Sequence, residues 1–194
     1  ARPNSSSELA VRVALQAAET AGAETVMFDG PALLLPLYDP TDSTRTEGAM
    51  RLVSALRSAH GIIIGSPGYH GSMSGLIKNA LDYTEDMRDD DASYFDGRAV
   101  GCIATAAGWQ ATGTTLSAMR SVVHALRGWN TPLGVAINSA QKVFEAGVCV
   151  DEAVARSLTV MAHQVVEFAH MRRDAAALRR SFISDESALL LETA

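Results

Sequence analysis

Short apolar runs that alternate with amphipathic stretches predict an α/β chain, a doubly wound parallel sheet of five strands covered by helices on both faces. Three observations carry this reading. "GIIIG" (61–65) is too short for a helix and apolar on both faces, as a buried parallel strand must be. "RAVGCIAT" (98–105) repeats the pattern, and "PLGVAI" (132–137) repeats it again. Between these runs lie segments with helical spacing, so each pair of strands is joined by a crossover helix.

Taken in order, apolar residues from Leu9 to Ala21 recur at helical spacing (Leu9, Val13, Ala17, Ala21), and Gly22 stops the helix. "ETVMFD" (24–29) reads as a strand. A Pro- and Leu-rich connection, "GPALLLPLYDPTD", leads to a second helix over 46–59, and a third covers 74–87. The fourth helix spans 113–127. A long helix over 151–173 closes a domain of residues 1–174, and residues 175–194 form a helical, peripheral tail. The chain opens on "ARPNSSSELA", a loop that runs directly into a helix. For the strand order 2-1-3-4-5 the first strand is central. The reading therefore expects an apolar strand of about six residues before Ala1, because without it the second and third strands share no neighbour.

At 194 residues the chain suits one domain with a sizeable core. A net charge of -6 argues against nucleic acid as a general partner. No apolar run reaches the length of a membrane span, and the N-terminus lacks a secretory pattern. Cys102 and Cys149 have no metal or C-x-x-C spacing and read as reduced thiols of a cytoplasmic protein. Lys78 and Asp82, four apart on a helix, read as an ion pair. His163 and His170 share a helix face without a ligand partner. Asp89, Asp90 and Asp91 read as a solvated acidic turn. No metal site is expected.

Three loops carry the chemistry. In "RPNSSSELA" consecutive serines precede a helix, where they cap it and also offer hydroxyls and free N–H groups to an anion. Arg2 adds a cation to the same loop. The G-x-x-x-x-G-K-[ST] and G-x-G-x-x-G patterns are both absent, so a phosphomonoester fits better than a nucleoside triphosphate. "SPGYHGS" (66–72) follows the strand at the carboxyl edge of the sheet, where open α/β sheets collect ligands. Gly68 and Gly71 allow close approach of N–H groups, and Tyr69 and His70 bring flat rings. "TAAGWQATG" (105–113) supplies Thr105, Ala106, Ala107, Gly108 and Trp109 at the same edge. One phosphate loop and two loops for a flat heteroaromatic describe a flavin mononucleotide site. His70 reads equally as a flavin or substrate contact and as a solvent-facing loop residue. Trp109 either covers the flavin or packs at a subunit boundary.

"SPGYHGSMSGLIKNALDY" resembles the NADPH-dependent FMN reductase family, whose pattern runs roughly S/T-P-x-Y-x-x-S-x-x-G-x-L-K-N-x-L/I-D. Pro67, Tyr69, Ser72, Gly75, Lys78, Asn79, Ala80 and Asp82 stand in register with it. "RPNSSSELA" is similar to the family's phosphate loop, a resemblance that implies Arg2, Ser5 and Ser7 as the phosphate contacts, and "LLLPLYDP" is similar to its segment before the second helix. The resemblance spans about residues 1–140. It implies a flavodoxin-like fold, bound FMN, NADPH or NADH as reductant, a small redox acceptor, and a homodimer or homotetramer. Hydride chemistry then belongs to the flavin N5 and no catalytic side chain is expected; the N–H groups of residues 69–72 are the donors that stabilise the reduced ring. The chain departs from the family at Gly68, where many members carry Glu, and at His70, where they carry Asn or Lys. It also lacks the Gly-Ser that opens the phosphate loop. Two other readings compete: a flavodoxin-type electron carrier, and a flavoprotein of a biosynthetic pathway with altered or lost reductase activity. The absence of a G-x-S-x-G elbow argues against a hydrolase.

Overall fold

The computed structural model describes residues 2–192, with side chains through residue 179. The elements are α1 (Ser6–Thr20), α2 (Glu47–Ser58), β1 (Gly61–Tyr69), β2 (Ser72–Met73), α3 (Gly75–Asp82) and a 3-10 turn over Tyr83–Met87. β3 (Ala99–Ala106), α4 (Trp109–Ala125), β4 (Trp129–Asn130), β5 (Val135–Asn138), β6 (Phe144–Glu145), β7 (Val148–Cys149) and α5 (Glu152–Glu192) follow.

The ladder between β1 and β3 is parallel and runs from Gly61 opposite Ala99 to Pro67 opposite Thr105. β3 is buried along its whole length, as the middle strand must be. Its other edge takes β4 and then β5, both parallel: β5 is the strand predicted over 132–137, beginning at Val135, and β4 is a two-residue piece ahead of it that the sequence reading did not include. The predicted third, fourth and fifth strands therefore lie side by side in that order. The predicted strand at 24–29 does not form. A strand exists only through a ladder partner, and among the described residues none pairs with this segment. Val26 is 73% exposed there.

Alternation along the strands divides the core. Ile103, Val135 and Ile137 face α1 and α5, against Ala10, Ala14, Leu158 and Met161. Ile64, Val100, Cys102 and Ala104 face the opposite layer, against Leu81 on α3 and Met119 and Val123 on α4. α2 packs on the 3-10 turn through Ala49, Val53, Tyr83 and Met87. Burial pushes the Cys102 thiol up to about 12, so it behaves as a core residue. α5 is one uninterrupted helix of 41 residues, so no break in the backbone separates the predicted tail from the helix before it. No helix among the described residues is long and apolar enough to cross a membrane.

Two polar clamps fix the long connection and the end of α2. Arg98 is only 9% exposed, and among the described residues no carboxylate pairs with it. It donates instead to the carbonyls of Arg57 and Ala59, where α2 ends, and to those of Tyr94 and Asp96. A cation there satisfies orphan carbonyls and suits the negative helix end. Arg45 grips Asp86 with Nε at 2.7 Å and Nη2 at 2.9 Å, and its guanidinium lies over the rings of Tyr38 and Tyr83. Asp90, expected as solvated, is bound by Arg57 at 2.7 Å, while Lys78 and Asp82 form the expected pair.

Replacing Arg98 by Met strands four carbonyls and is expected to destabilise the fold by about 3 kcal/mol, read from urea denaturation. Hydrogen bonds from Arg45 hold the Asp86 carboxyl below its ordinary range. Its contribution is present above the unfolded aspartate pKa and is lost as pH falls through the lower folded value. The stability gap between the wild type and Arg45→Met should be full at neutral pH and close on acidification below about 4.

Candidate functional site

The carboxyl edge of the β1–β3 ladder is where the three loops meet. β1 continues past its isoleucines to Tyr69, turns over His70 and Gly71, and returns as β2 with Tyr69 opposite Ser72. His70 has φ 51° and Gly71 φ 85°, the positive pair that a two-residue hairpin turn of type I′ requires. The segment read as an open loop is therefore a tight hairpin. Its root is tied down by Ser66, which is fully buried. The Ser66 hydroxyl donates to the Pro67 carbonyl at 2.8 Å and accepts from the Ser74 N–H at 3.0 Å. Ser74 in turn caps α3, accepting from Ile77 N–H.

Gly68 lies in extended backbone and is needed for space. A Cβ built on it would stand 2.4 Å from Thr115 Oγ1 on α4 and 3.3 Å from Ala106 Cβ. Thr115 is completely buried and its hydroxyl points at the Ser72 carbonyl, 3.4 Å away. α4 thus sits directly against the hairpin, which accounts for glycine at a position where a larger residue would have no room.

The first loop lies next to the hairpin root, since a Cβ on Gly65 would stand 3.3 Å from the Ser7 carbonyl. Ser5 is the N-cap of α1, its Oγ accepting from Glu8 N–H at 3.3 Å. Ser7 is buried with its Oγ 3.5 Å from that of Ser5, and Arg2 is exposed. The N–H groups of Ser6 and Ser7 point off the helix end without a protein acceptor among the described residues.

Thr105 and Ala106 belong to β3 and are buried, which leaves Ala107 and Gly108 as the third loop proper. α4 begins at Trp109, four residues before the predicted start, so Trp109 stands on the first turn of a helix and is 58% exposed. Gly108 has φ 134° and open space where a side chain would be. Sequence reasoning missed Asn138. Its Oδ1 accepts from Gly108 N–H at 3.0 Å and Ala140 N–H at 3.1 Å, joining the third loop to the end of β5. A single polar residue at a strand end carries no motif, so no signal marked it.

The residues fit a phosphorylated planar cofactor. Hydroxyls, free helix N–H groups and a cation stand at the first loop. The N–H groups of His70 and Gly71 have no protein acceptor among the described residues, and the space beside Gly71 is open. Tyr69, 59% exposed, and Trp109 supply flat apolar surface at this edge. A cleft of about 250 Å³ adjoins the third loop, lined by Trp109, Asn138, Gln141 and Val154 among others. The larger cleft, about 310 Å³ between residues 36–46 and Tyr83, receives no residue from the three loops. It is lined by the polar clamp around Arg45.

Gly68→Ala should destabilise the protein by about 1–3 kcal/mol through overpacking against α4. Adding Thr115→Ala removes the opposing oxygen, and the double variant should recover part of that loss in denaturation midpoints.

Over residues 1–142 the chain matches the family described as NADPH-dependent FMN reductase. An NADPH azoreductase of Bacillus sp. (strain OY1-2) is 33% identical over 99 residues, covering 50% of this chain and 52% of that protein. An FMN-dependent NADPH-azoreductase of Staphylococcus aureus is 35% identical over 79 residues, 41% of this chain and 38% of that one. The chain thus spans about half, or less, of the length of these curated relatives. Among solved structures, the flavoenzyme NAD(P)H:(acceptor) oxidoreductase FerB of Paracoccus denitrificans superposes with a TM-score of 0.70 at 20% identity, covering 89% of this chain and 93% of that one. A flavodoxin, WrbA-like protein of Agrobacterium tumefaciens gives 0.60 at 17% identity, with 86% and 91% covered. These likenesses establish a flavodoxin-like fold. With a match that extends from the first loop through the hairpin and the third loop to the residues just past β5, the chain belongs to the NADPH-dependent FMN reductase family.

Proposed function

We propose that the protein binds FMN at the three-loop edge and passes reducing equivalents from NAD(P)H to a small acceptor such as a quinone, an azo compound or free flavin. The observation that carries this reading is the set of backbone N–H groups that find no acceptor among the described residues at one edge of the sheet, on α1 and on the 70–71 turn. Arg2, Ser5 and Ser7 would hold the phosphate. The amides of the hairpin would face the polar rim of the ring, and Tyr69 and Trp109 its flat surface.

FMN, when bound, supplies the two-electron chemistry. The chain's own share is to fix position and charge. Rigid amides aimed at a polar rim stabilise negative charge there without reorganising, because the hairpin is locked by Ser66 and by α4. The exposure of Tyr69 and Trp109 supports an open approach for reductant and acceptor in turn. Family membership and the azoreductase names of the relatives support azo compounds among the acceptors. We further infer a cytoplasmic homo-oligomer, a reading that the two free cysteines support on the side of a reducing compartment.

Titration with FMN should quench flavin fluorescence at one equivalent, and NADPH should then bleach the visible absorbance, with recovery on adding a quinone or azo dye. Protein that stays colourless with excess FMN would end the proposal. Slow bleaching by both NADPH and NADH would point instead to an electron carrier or to a flavoprotein serving another pathway.

A further inference from the structure

The first loop contains a charge that its proposed role should not welcome. Glu8, the third residue of α1, turns back so that its Oε2 accepts the Asn4 N–H at 3.0 Å. Asn4 has φ 55°, a left-handed conformation that non-glycine residues adopt at a cost. Glu8 therefore holds the loop in shape, in the manner of a capping box reaching one residue further back. Yet its side chain is only 11% exposed, so its charge is poorly screened beside the Ser6 and Ser7 amides that would take a phosphate.

The remaining oxygen resolves the conflict. Oε1 accepts from Arg12 Nε at 3.0 Å and from Arg12 Nη2 at 2.8 Å, so the two carboxylate oxygens have separate tasks. Arg12 lies one turn further along the helix and donates to nothing else among the described residues.

We infer that Glu8 and Arg12 form a charge-compensated buttress for the phosphate loop: Glu8 sets the backbone, and Arg12 cancels the charge that would otherwise repel the phosphate. Arg12 is then a positioning residue that sets the preference for a phosphorylated over an unphosphorylated flavin. This rests on the FMN reading above.

The test compares dissociation constants for FMN and riboflavin, by fluorescence quenching, in the wild type, Arg12→Gln, Glu8→Gln and the double variant. Arg12→Gln leaves Glu8 uncompensated and should weaken FMN about tenfold while leaving riboflavin nearly unchanged. The loss should shrink in about 0.5 M KCl, since Arg12 is 53% exposed and its field is open to screening. Glu8→Gln keeps the acceptor for Asn4 without the charge, so the double variant should return to within about twofold of the wild-type FMN-to-riboflavin ratio. An Arg12→Gln variant that changes both flavins equally, or a double variant that does not recover, overturns the inference while leaving the FMN reading intact. A wild-type protein that binds neither flavin ends the FMN reading, and this inference falls with it.

Discussion

The parallel ladder from Gly61–Ala99 to Pro67–Thr105 is the constraint on which the rest of the structure depends. Both helical layers are seated on it, because Ile63 and Ile103 face α1 and α5 while Ile62, Ile64, Val100 and Cys102 face the opposite layer. Its register also fixes the site. With Pro67 opposite Thr105, the hairpin and the third loop leave the sheet at the same height and side by side. A slip of one residue would turn every isoleucine to the wrong layer, so burial of two cores enforces the alignment of two loops. The precision of the candidate site comes from the core and needs no special contact between the loops.

What this edge presents is chiefly backbone. The features that could meet a cofactor are N–H groups on a helix start and on a turn with positive φ at both centres, and the side chains around them serve mainly to hold those groups still. Ser66 locks the hairpin root, Thr115 fills the space left by Gly68, and Asn138 secures Gly108. Each is buried or partly buried and each satisfies a neighbour's hydrogen bond, so the free amides stay free because their neighbours are already paired. Fixed dipoles of this kind suit a site where charge changes during turnover, since nothing has to move to meet it.

How far this was legible in the sequence follows from what each signal measures. The buried strands at 61–65 and 98–105 were readable because burial on both faces demands unbroken apolar runs. The last strand was readable in place, but the two-residue β4 ahead of it was not, because Trp129 and Asn130 make no apolar run. The segment 24–29 has the composition of a strand, but composition reports preference for an extended chain and says nothing of a partner. Both hairpins were missed. At His70–Gly71 and at Ala146–Gly147 the second residue is glycine but the first is not Asn or Asp, so the usual hairpin dipeptide was absent. The early start of α4 was hidden by Gly108 and Gly113, which read together as loop, whereas Gly113 sits within the helix. The ends of β1 and β3 and the start of α1, the three segments singled out in the sequence, come together at one edge of the sheet, while Asn138, Thr115 and Glu8 act through contacts distant in sequence or through side-chain direction, which one-dimensional spacing does not encode.

The motif that carries the family resemblance turns out to be largely scaffold. Asn79 is buried and works on the "LLLPLYDP" segment: its Oδ1 accepts the Tyr38 N–H at 2.9 Å and its amide donates to the Pro36 carbonyl at 2.9 Å. Tyr83 adds a bond from its hydroxyl to the same carbonyl at 3.0 Å. Asn79 therefore gives an irregular stretch the pairing that a neighbouring strand would otherwise supply, while Lys78 and Asp82 pair with each other on the exposed face of α3. Two segments that are far apart in sequence are thus one structural unit. The positions where this chain departs from the family, Gly68 and His70, lie in the hairpin instead. The motif's Asn79 and Tyr83 hold a connection in place, while Gly68 and His70 sit in the hairpin at the exposed edge of the sheet.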